Sequence, residues 1–286
     1  MNENAALTSG VLHVIATPIG NLADLSSRMR DTMQQVDILY AEDTRHTGKL
    51  CREMGINPPL RSLHDHNEAA RVEEVLQRLR SGESVGLVSD AGTPLISDPG
   101  YRIVAACHEA SVRVSPVPGP SAVIAALSVC GLPTDRFGFY GFLPARTTAR
   151  RELLSEVAAV RSTSVFFESK HRLLESLKDI GEVLGEERRV CIARELSKTF
   201  ETVRQGEVGS LLEQFRENHH WQKGEFVLVV SGAQAVKSVF SEATRSLLLA
   251  IAKEVAPKKA VAIVAAHTGL DKKMLYDWLV AQKNTQ

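Results

Sequence analysis

A chain of 286 residues with 34 Lys+Arg and 34 Asp+Glu lacks any net charge. That balance counts against nucleic-acid binding through a uniformly basic surface, although it leaves room for charge to be segregated along the chain. Cysteine is scarce. Cys51, Cys107, Cys130 and Cys191 stand far apart, with no CxxC and no Cys/His pair at zinc spacing, which argues against a metal centre or a disulfide framework. Long apolar runs are missing as well: residues 121–133, among the longest uncharged stretches, fall short of the about 20 residues that span a bilayer. The opening MNENAALTSG has neither the basic nor the apolar region of an export signal, so a soluble, cytoplasmic protein with no membrane partner is expected. Neither GxGxxG nor a Walker A lysine is present. Repeats of solenoid period and low-complexity tracts are also absent. What remains is 44% hydrophobic and 24% charged, the composition of a folded protein long enough for two domains and a short appendage.

Short runs rich in Val and Ile predict strands over 11–16, 37–41, 85–89 and 112–117. Amphipathic stretches separate them. Over 67–80, Ala69, Val72, Val75, Leu76 and Leu79 share a helical face, and Ser81-Gly82 ends it. Over 99–110 the face is Ile103, Val104 and Cys107, with Pro99 in the first turn. Such alternation predicts a mostly parallel sheet covered by helices. Pro116, Pro118 and Pro120 then exclude a regular helix or central strand and predict a stiff connection. After it the alternation restarts, with helices over 121–130, 150–160, 173–184 and 210–216 and strands over 137–142, 164–167, 190–193, 202–204 and 226–230. The expected fold class is therefore α/β: two α/β domains in series, 1–118 and 119–235, with a ligand cleft between them. Past Ala233, helical patterns over 242–255, 258–267 and 272–282, with Pro257 and Thr268-Gly269 between them, predict a small helix-turn-helix-like domain, 236–286. This tail holds eight Lys/Arg and four Asp/Glu, a charge of +4, which leaves −4 for the rest.

Several clusters just beyond the predicted strands suit chemistry. Ala16-Thr17-Pro18-Ile19-Gly20-Asn21-Leu22 lies where open α/β sheets receive ligands, but alone it reads as a tight turn. The stretch 88–100 is more informative. Its strand delivers Asp90, whose carboxylate suits a ribose hydroxyl or a ligand amine, and Ala91 and Gly92 let backbone amides approach a ligand. Asp98 is expected to cap the helix opening at Pro99. Glu42-Asp43-Thr44-Arg45-His46 and His64-Asp65-His66-Asn67-Glu68 concentrate titratable groups fit for acid–base work or metal binding. HxH without a third spaced ligand makes metal the weaker reading, and helix capping by Asp65 or Asn67 accounts for part of the second cluster. Phe166-Phe167-Glu168-Ser169 and Ala193-Arg194-Glu195-Leu196-Ser197-Lys198 also end strands, and Arg194–Glu195 is equally a buried structural pair.

Taken in order, Thr17-Pro18-Ile19-Gly20-Asn21-Leu22, Ala41-Glu42-Asp43-Thr44-Arg45, Leu63-His64-Asp65-His66-Asn67-Glu68, residues 88–100, Pro118-Gly119-Pro120-Ser121-Ala122 and Arg194-Glu195-Leu196-Ser197-Lys198 resemble the rRNA-modifying branch of the tetrapyrrole methylase (class III S-adenosylmethionine-dependent) superfamily. The resemblance spans nearly the whole chain, including the basic tail. It implies 2′-O-methylation of a cytidine ribose (cytidine 1402) in 16S rRNA of the small ribosomal subunit. It also implies a bacterial cytoplasmic homodimer, with S-adenosylmethionine folded into the cleft. Carried over by motif, Pro18 and Gly20 line the cleft. Asp90, Ala91, Gly92 and Thr93 stand where the superfamily's Gly-Asp-Pro segment contacts the methionine part of the cofactor. Ser121 and Ala122 match a Thr/Ser-Ala pair, and Phe167, Glu168, Ala193 and the turn at Gly224 bound the adenosine side. The superfamily's first loop is usually GxGPG; here Thr17-Pro18-Ile19-Gly20 replaces it.

Methyl transfer to a hydroxyl needs an in-line approach and the removal of a proton from a weak acid. In the scheme expected here Lys198 or Arg45 polarises the ribose oxygen and Glu42 or Asp65 takes the proton, with Asp43, His64, His66, Arg194 and Glu195 as further candidates. A target in folded RNA calls for phosphate contacts and a splayed-out nucleotide. Arg146, Arg150, Arg151, Lys258, Lys259, Lys272 and Lys273 are the expected contacts. Two other readings compete: a methyltransferase acting on a tetrapyrrole precursor, and a non-enzymatic RNA-binding ribosome-assembly factor.

Overall fold

The structure, a computed structural model, describes residues 10–64, 66–233 and 240–283. They fall into two compact units, Met1–Ala233 and Gln234–Gln286. The first unit contains two five-stranded sheets.

The first sheet is built from β1 (Val11–Ile15), β2 (Ile38–Ala41), β3 (Leu60–Ser62), β4 (Val85–Val88) and β5 (Arg113–Val117), in the order β3-β2-β4-β1-β5 with every neighbouring pair parallel. α1 (Ser27–Gln35) and α2 (Thr44–Glu53) cover one face, and α3 (Glu68–Arg80) and α4 (Tyr101–Glu109) the other. Alternation along β2 shows how: Ile38 and Tyr40 pack with Val75, Leu79 and Ile103, whereas Leu39 and Ala41 pack with Met29, Met33 and Leu50. β2 and β4 are buried at every position, as strands covered on both faces must be.

α5 (Ala122–Val129) leads into the second sheet. Its strands are β6 (Phe137–Phe142), β7 (Thr163–Ser169), β8 (Arg189–Arg194), β9 (Thr202–Glu207) and β10 (Glu225–Val230), ordered β6-β7-β10-β8-β9. α6 (Thr147–Val157), α7 (Leu173–Leu184) and α8 (Val208–Glu217) pack on one face through Leu154, Leu177, Ile180 and Phe215. The other face takes Val123, Ala126 and Leu127 of α5.

Two expectations are corrected here. The second sheet is mostly antiparallel: β6 and β7 are parallel, but β10 runs against both β7 and β8, and β9 against β8. β10 enters between two strands that a helix joins, which strand–helix alternation does not reveal. Pro116, shared between the strand expected over 112–117 and the proline-rich connection expected after it, lies within β5 and so belongs to the strand. β5 is an edge strand, where a residue without an N–H is tolerated.

The second unit comprises α9 (Glu242–Glu254), α10 (Pro257–Thr268) and α11 (Lys272–Lys283). Ser241 caps α9 by accepting the Thr244 amide at 3.2 Å, Pro257 opens α10, and Gly269 ends it in the left-handed conformation (φ 71°). Leu248, Val261, Val264, Leu275 and Leu279 form its core, beside an edge-to-face pair of Phe240 and Trp278. No helix among the described residues is long and apolar enough to cross a membrane.

Candidate active site

Every strand of the parallel sheet ends at the same edge. The loops after β1, β2 and β4 meet there, the place where an open α/β sheet opens to ligands. The ends of β6, β7 and β8 and the start of β10 face them, and a cavity of about 480 Å³ lies between. Ile19, Phe142, Phe167, Ala193, Leu196 and Val227 give it apolar walls; Glu42, Asp90, Thr93, Asp98, Ser121 and Lys198 give it polar ones. A second cavity of about 370 Å³ shares Ile19, Asp90, Ala91, Lys198 and Glu225 with the first and adds Pro18, Gly20, His46 and Lys49.

The loop after β4 is tied to the loop after β1. Thr17 and Gly92 exchange backbone hydrogen bonds of 2.8 and 3.1 Å, and the Thr93 hydroxyl donates to the Pro120 carbonyl at 3.1 Å. Gly92 has φ of 85°, a conformation suited to glycine, which turns the chain without a side chain in the way. Asp90 accepts the Asp43 amide at 3.0 Å, joining the loops after β2 and β4. On the opposite wall Arg194, almost wholly buried, donates to the Lys223 and Phe200 carbonyls at 2.5 and 2.8 Å and so shapes the turn that carries Lys198. The Lys198 ammonium bridges Glu195 (3.0 Å) and Glu225 (2.8 Å), and its stem packs on Gly20. Burial acts to lower the Lys198 pKa, but the two carboxylates outweigh it and hold the ammonium above its ordinary value. For Glu195 burial acts upward, and the Glu225 amide and the Lys198 ammonium outweigh it, so this carboxyl sits below its ordinary value. Ser197 also hydrogen-bonds Asp24 in the loop leading to α1.

The cavities thus gather Glu42, Lys198, Pro18, Gly20, Asp90, Ala91, Gly92, Thr93, Ser121, Ala122, Phe167, Glu168 and Ala193. The Glu168 carboxylate is already engaged by Arg172 (3.0 Å), the Ser169 amide (2.6 Å) and the Ser176 hydroxyl. Gly224 lines neither cavity; with φ of 105° it lies against the Glu195 side chain. Arg45 lies outside both linings, its side chain 90% exposed and paired with Asp43 at 2.8 Å. The Arg45 guanidinium and amide hold the Asp43 carboxyl well below its usual range. Asp65 lies outside the described residues.

Arg150 requires a correction. Its side chain is fully buried, its Nε donates to Asp179 at 2.6 Å, and its Nη1 donates to the Pro144 and Ala145 carbonyls. A guanidinium so enclosed has no access to a phosphate. Arg151 is half-buried and paired with Asp179 (2.7 Å) and Glu182. Arg146, Lys258, Lys259, Lys272 and Lys273 are exposed.

Asp98 and Asn67 are corrected too. α4 begins at Tyr101 with Gly100 at its N-cap, and the Glu68 carboxylate accepts the Gly100 and Arg102 amides there; Asp98 lines the cavity instead. Asn67 makes no cap bond to its own helix; its Oδ1 accepts the His64 amide at 2.9 Å. Sequence reasoning also passed over two cavity walls: Phe142, at the end of the strand expected over 137–142, and Val227, near the start of the one expected over 226–230. Among the described residues no group of three or more His, Cys, Asp or Glu side chains is placed to hold a metal.

A two-lobed α/β unit with its cavity at the strand ends defines a class, and the comparisons agree. Residues 11–212 match the model of tetrapyrrole (corrin/porphyrin) methylases, so the chain belongs to that family. Residues 239–283 match the RsmI C-terminal HTH domain. The chain is 48% identical over 283 residues to ribosomal RNA small subunit methyltransferase I of Escherichia coli O157:H7, covering 99% of each. It is 47% identical to the protein of the same name from Vibrio cholerae serotype O1, over 97% of this chain and 98% of that one. Solved structures of the same fold include the cobalt precorrin-4 methyltransferase of cobalamin biosynthesis (TM-score 0.57, 18% identity, 77% of this chain and 94% of that one). Uroporphyrin-III-C-methyltransferase from Thermus thermophilus is another (TM-score 0.54, 19% identity, 78% and 94%).

Proposed function

We propose that this protein methylates ribosomal RNA, transferring a methyl group from S-adenosylmethionine to the ribose 2′-hydroxyl of a cytidine (cytidine 1402) in 16S rRNA of the small subunit. The observation that carries the reading is the match, over nearly the full length of both chains, to relatives named as small-subunit rRNA methyltransferases.

The cavity suits such a methyl donor. Its volume of about 480 Å³ falls in the range of about 300–1,000 Å³ usual for small-molecule sites, and apolar walls with a few convergent polar groups are the common pattern. The residues that would hold it are Asp90, Ala91, Gly92 and Thr93 on one wall, Ser121 and Ala122 beside them, and Phe167 and Ala193 opposite. Pro18 and Gly20 shape the neighbouring cavity, where the acceptor would enter, and Gly224 acts through Glu195. When bound, S-adenosylmethionine supplies an electrophilic methyl on a sulfonium. The chain's own task is then to orient the ribose and to remove one proton from its 2′-hydroxyl. Lys198, held as a cation between two carboxylates, cannot be the base; its role is to polarise the ribose oxygen, with Arg45 as the second candidate. Glu42 on the cavity wall, or Asp65, takes the proton. Apolar walls exclude water, which strengthens these polar contacts.

The work divides by segment: 1–118 and 119–235 hold the cofactor between them, and 236–286 binds rRNA phosphate through Lys258, Lys259, Lys272 and Lys273, with Arg146 and Arg151 assisting. The protein acts in the cytoplasm as a homodimer. Mass spectrometry of 16S rRNA from cells with and without the protein tests the reaction, with loss of one 2′-O-methylcytidine expected and an unchanged modification profile refuting it. Truncation after Ala233 tests the tail: affinity for the small subunit should fall, and the salt slope should shrink by about 0.9 for each phosphate that the tail had neutralised. An unchanged slope removes the tail from RNA binding.

A further inference from the structure

Glu68 opens α3 and is buried, with 6% of its surface exposed. It lines neither cavity. Its Oε1 accepts the Gly100 amide at 3.1 Å and the Arg102 amide at 2.7 Å, so it caps α4 from a different helix. Gly100 is the last residue of the loop that begins after β4, and this loop supplies Asp90 through Thr93 as well as Ile96, Ser97 and Asp98 to the cavity.

The near end of the loop is anchored by the Thr17–Gly92 bridge and by the Thr93 hydroxyl. At the far end stands Gly100, with φ of 126°, where an added Cβ would lie 2.7 Å from the Leu87 side chain. Between the anchors, Leu95 and Ser97 have φ of 73° and 69°. Side-chain-bearing residues persist in that left-handed region only where the surroundings fix them. The middle of the loop is thus a span under backbone strain, stretched between two anchors, one of which is made by Glu68.

We propose that Glu68 is a positioning residue for the methyl-donor cavity. By accepting the Gly100 and Arg102 amides it fixes the far end of the loop and keeps Ile96, Ser97 and Asp98 on the cavity wall. The inference rests on reading that cavity as the S-adenosylmethionine site. What the arrangement demands of position 68 is an acceptor oxygen of the right reach. Glutamine keeps such an oxygen, and alanine removes it, leaving two amides without their acceptor.

Calorimetry of S-adenosylmethionine binding to wild type, Glu68→Ala, Glu68→Gln and Leu79→Ala tests this, with melting temperatures and hydrogen exchange of the Gly100 and Arg102 amides measured alongside. Leu79 is fully buried in the same helix and takes no part in the hydrogen bonds that anchor the loop, so its truncation serves as the destabilised control. Glu68→Ala should weaken binding about ten- to a hundred-fold and speed exchange at both amides, as expected when buried donors lose their acceptor. Glu68→Gln and Leu79→Ala should stay within about threefold of wild type, because each keeps the anchor. The inference is overturned if Glu68→Ala binds like wild type or like the equally destabilised Leu79→Ala, or if Glu68→Gln is as weak as Glu68→Ala. Absence of binding by the wild type overturns the reading of the cavity itself, a different result from wild-type binding that the alanine variant leaves intact.

Discussion

Asp179 on α7 supports the second lobe in a way that can be measured. Its carboxylate is 3% exposed and accepts from two arginines, Arg150 at 2.6 Å and Arg151 at 2.7 Å. The partners are unequal. Arg150 has no exposure, whereas the Arg151 side chain is 42% exposed and keeps Glu182 as a second partner. Asp179→Ala therefore leaves a buried guanidinium whose remaining partners are the Pro144 and Ala145 carbonyls, Thr147 and, at 3.6 Å, the largely exposed Glu175 carboxylate. Removing one partner of a buried pair costs about 3–5 kcal/mol. For a unit of this size each kcal/mol shifts the melting temperature by about 2–4 °C, so a fall of roughly 6–20 °C is expected. Arg150→Met leaves Asp179 still bonded to Arg151, and its cost should be nearer 1–3 kcal/mol, roughly that of two carbonyls losing a donor. The double variant Arg150→Met/Asp179→Leu strands no charge on the buried side and should lie within about 2 kcal/mol of wild type. Thermal and urea unfolding of the three variants decides the matter. The reasoning would be refuted if Arg150→Met cost as much as Asp179→Ala, or if the double variant lost the sum of the singles.

Three further outcomes follow from the geometry. Gly20→Ala should reduce methylation at least tenfold with an intact fold, because a Cβ at φ of 139° would stand 2.5 Å from the Lys198 stem and displace it, a strain of about 1–3 kcal/mol; an unchanged rate on 16S rRNA would separate Lys198 from the chemistry. Because the folded Glu195 carboxyl lies below its ordinary value of 4.5, its stabilising contribution is present in full above 4.5 and is lost as pH falls through the folded value. The unfolding midpoints of wild type and Glu195→Gln should accordingly converge on acidification from neutral pH, and a gap that widened instead would contradict the assignment. Burial pushes the Cys107 and Cys191 thiols up to about 11 and about 12, so neither should react with a thiol reagent at pH 8 until the protein is unfolded; rapid native labelling followed by peptide mapping to either residue would contradict their burial.

The strand ends were legible because the signal is local. Runs such as Val85–Val88 are dense in β-branched residues, and in the parallel sheet the ends of such runs locate the cavity without further information. β3, α1 and α2 escaped for the opposite reason. Leu60–Ser62 has one apolar residue in three, and α1 buries only Met29 and Met33. All three are held by the sheet they cover or extend rather than by their own pattern. The insertion of β10 between β7 and β8 is a pairing between distant segments, which no local periodicity encodes.

Charged residues obey the same distinction, with a consequence for where RNA is held. A basic side chain seen in sequence carries no mark of its partner when that partner is remote. Arg150 meets Asp179 from 29 residues away and Glu68 meets Gly100 from 32, so the first read as a surface cation and the second as part of a titratable cluster. Asp43 and Arg45, two residues apart, could be read together. Of the three arginines at 146, 150 and 151, Arg150 is buried against Asp179, Arg151 is part-exposed but shared between Asp179 and Glu182, and Arg146 is exposed. The four lysines at the starts of α10 and α11 are exposed. A count by segment therefore overstates the reachable cations of the first unit, since part of its basic content is neutralised internally by Asp179 and Glu182. Phosphate attraction scales with cations that water and ligands can reach, so under the proposed function the weight of RNA binding would fall on the helical unit rather than on α6.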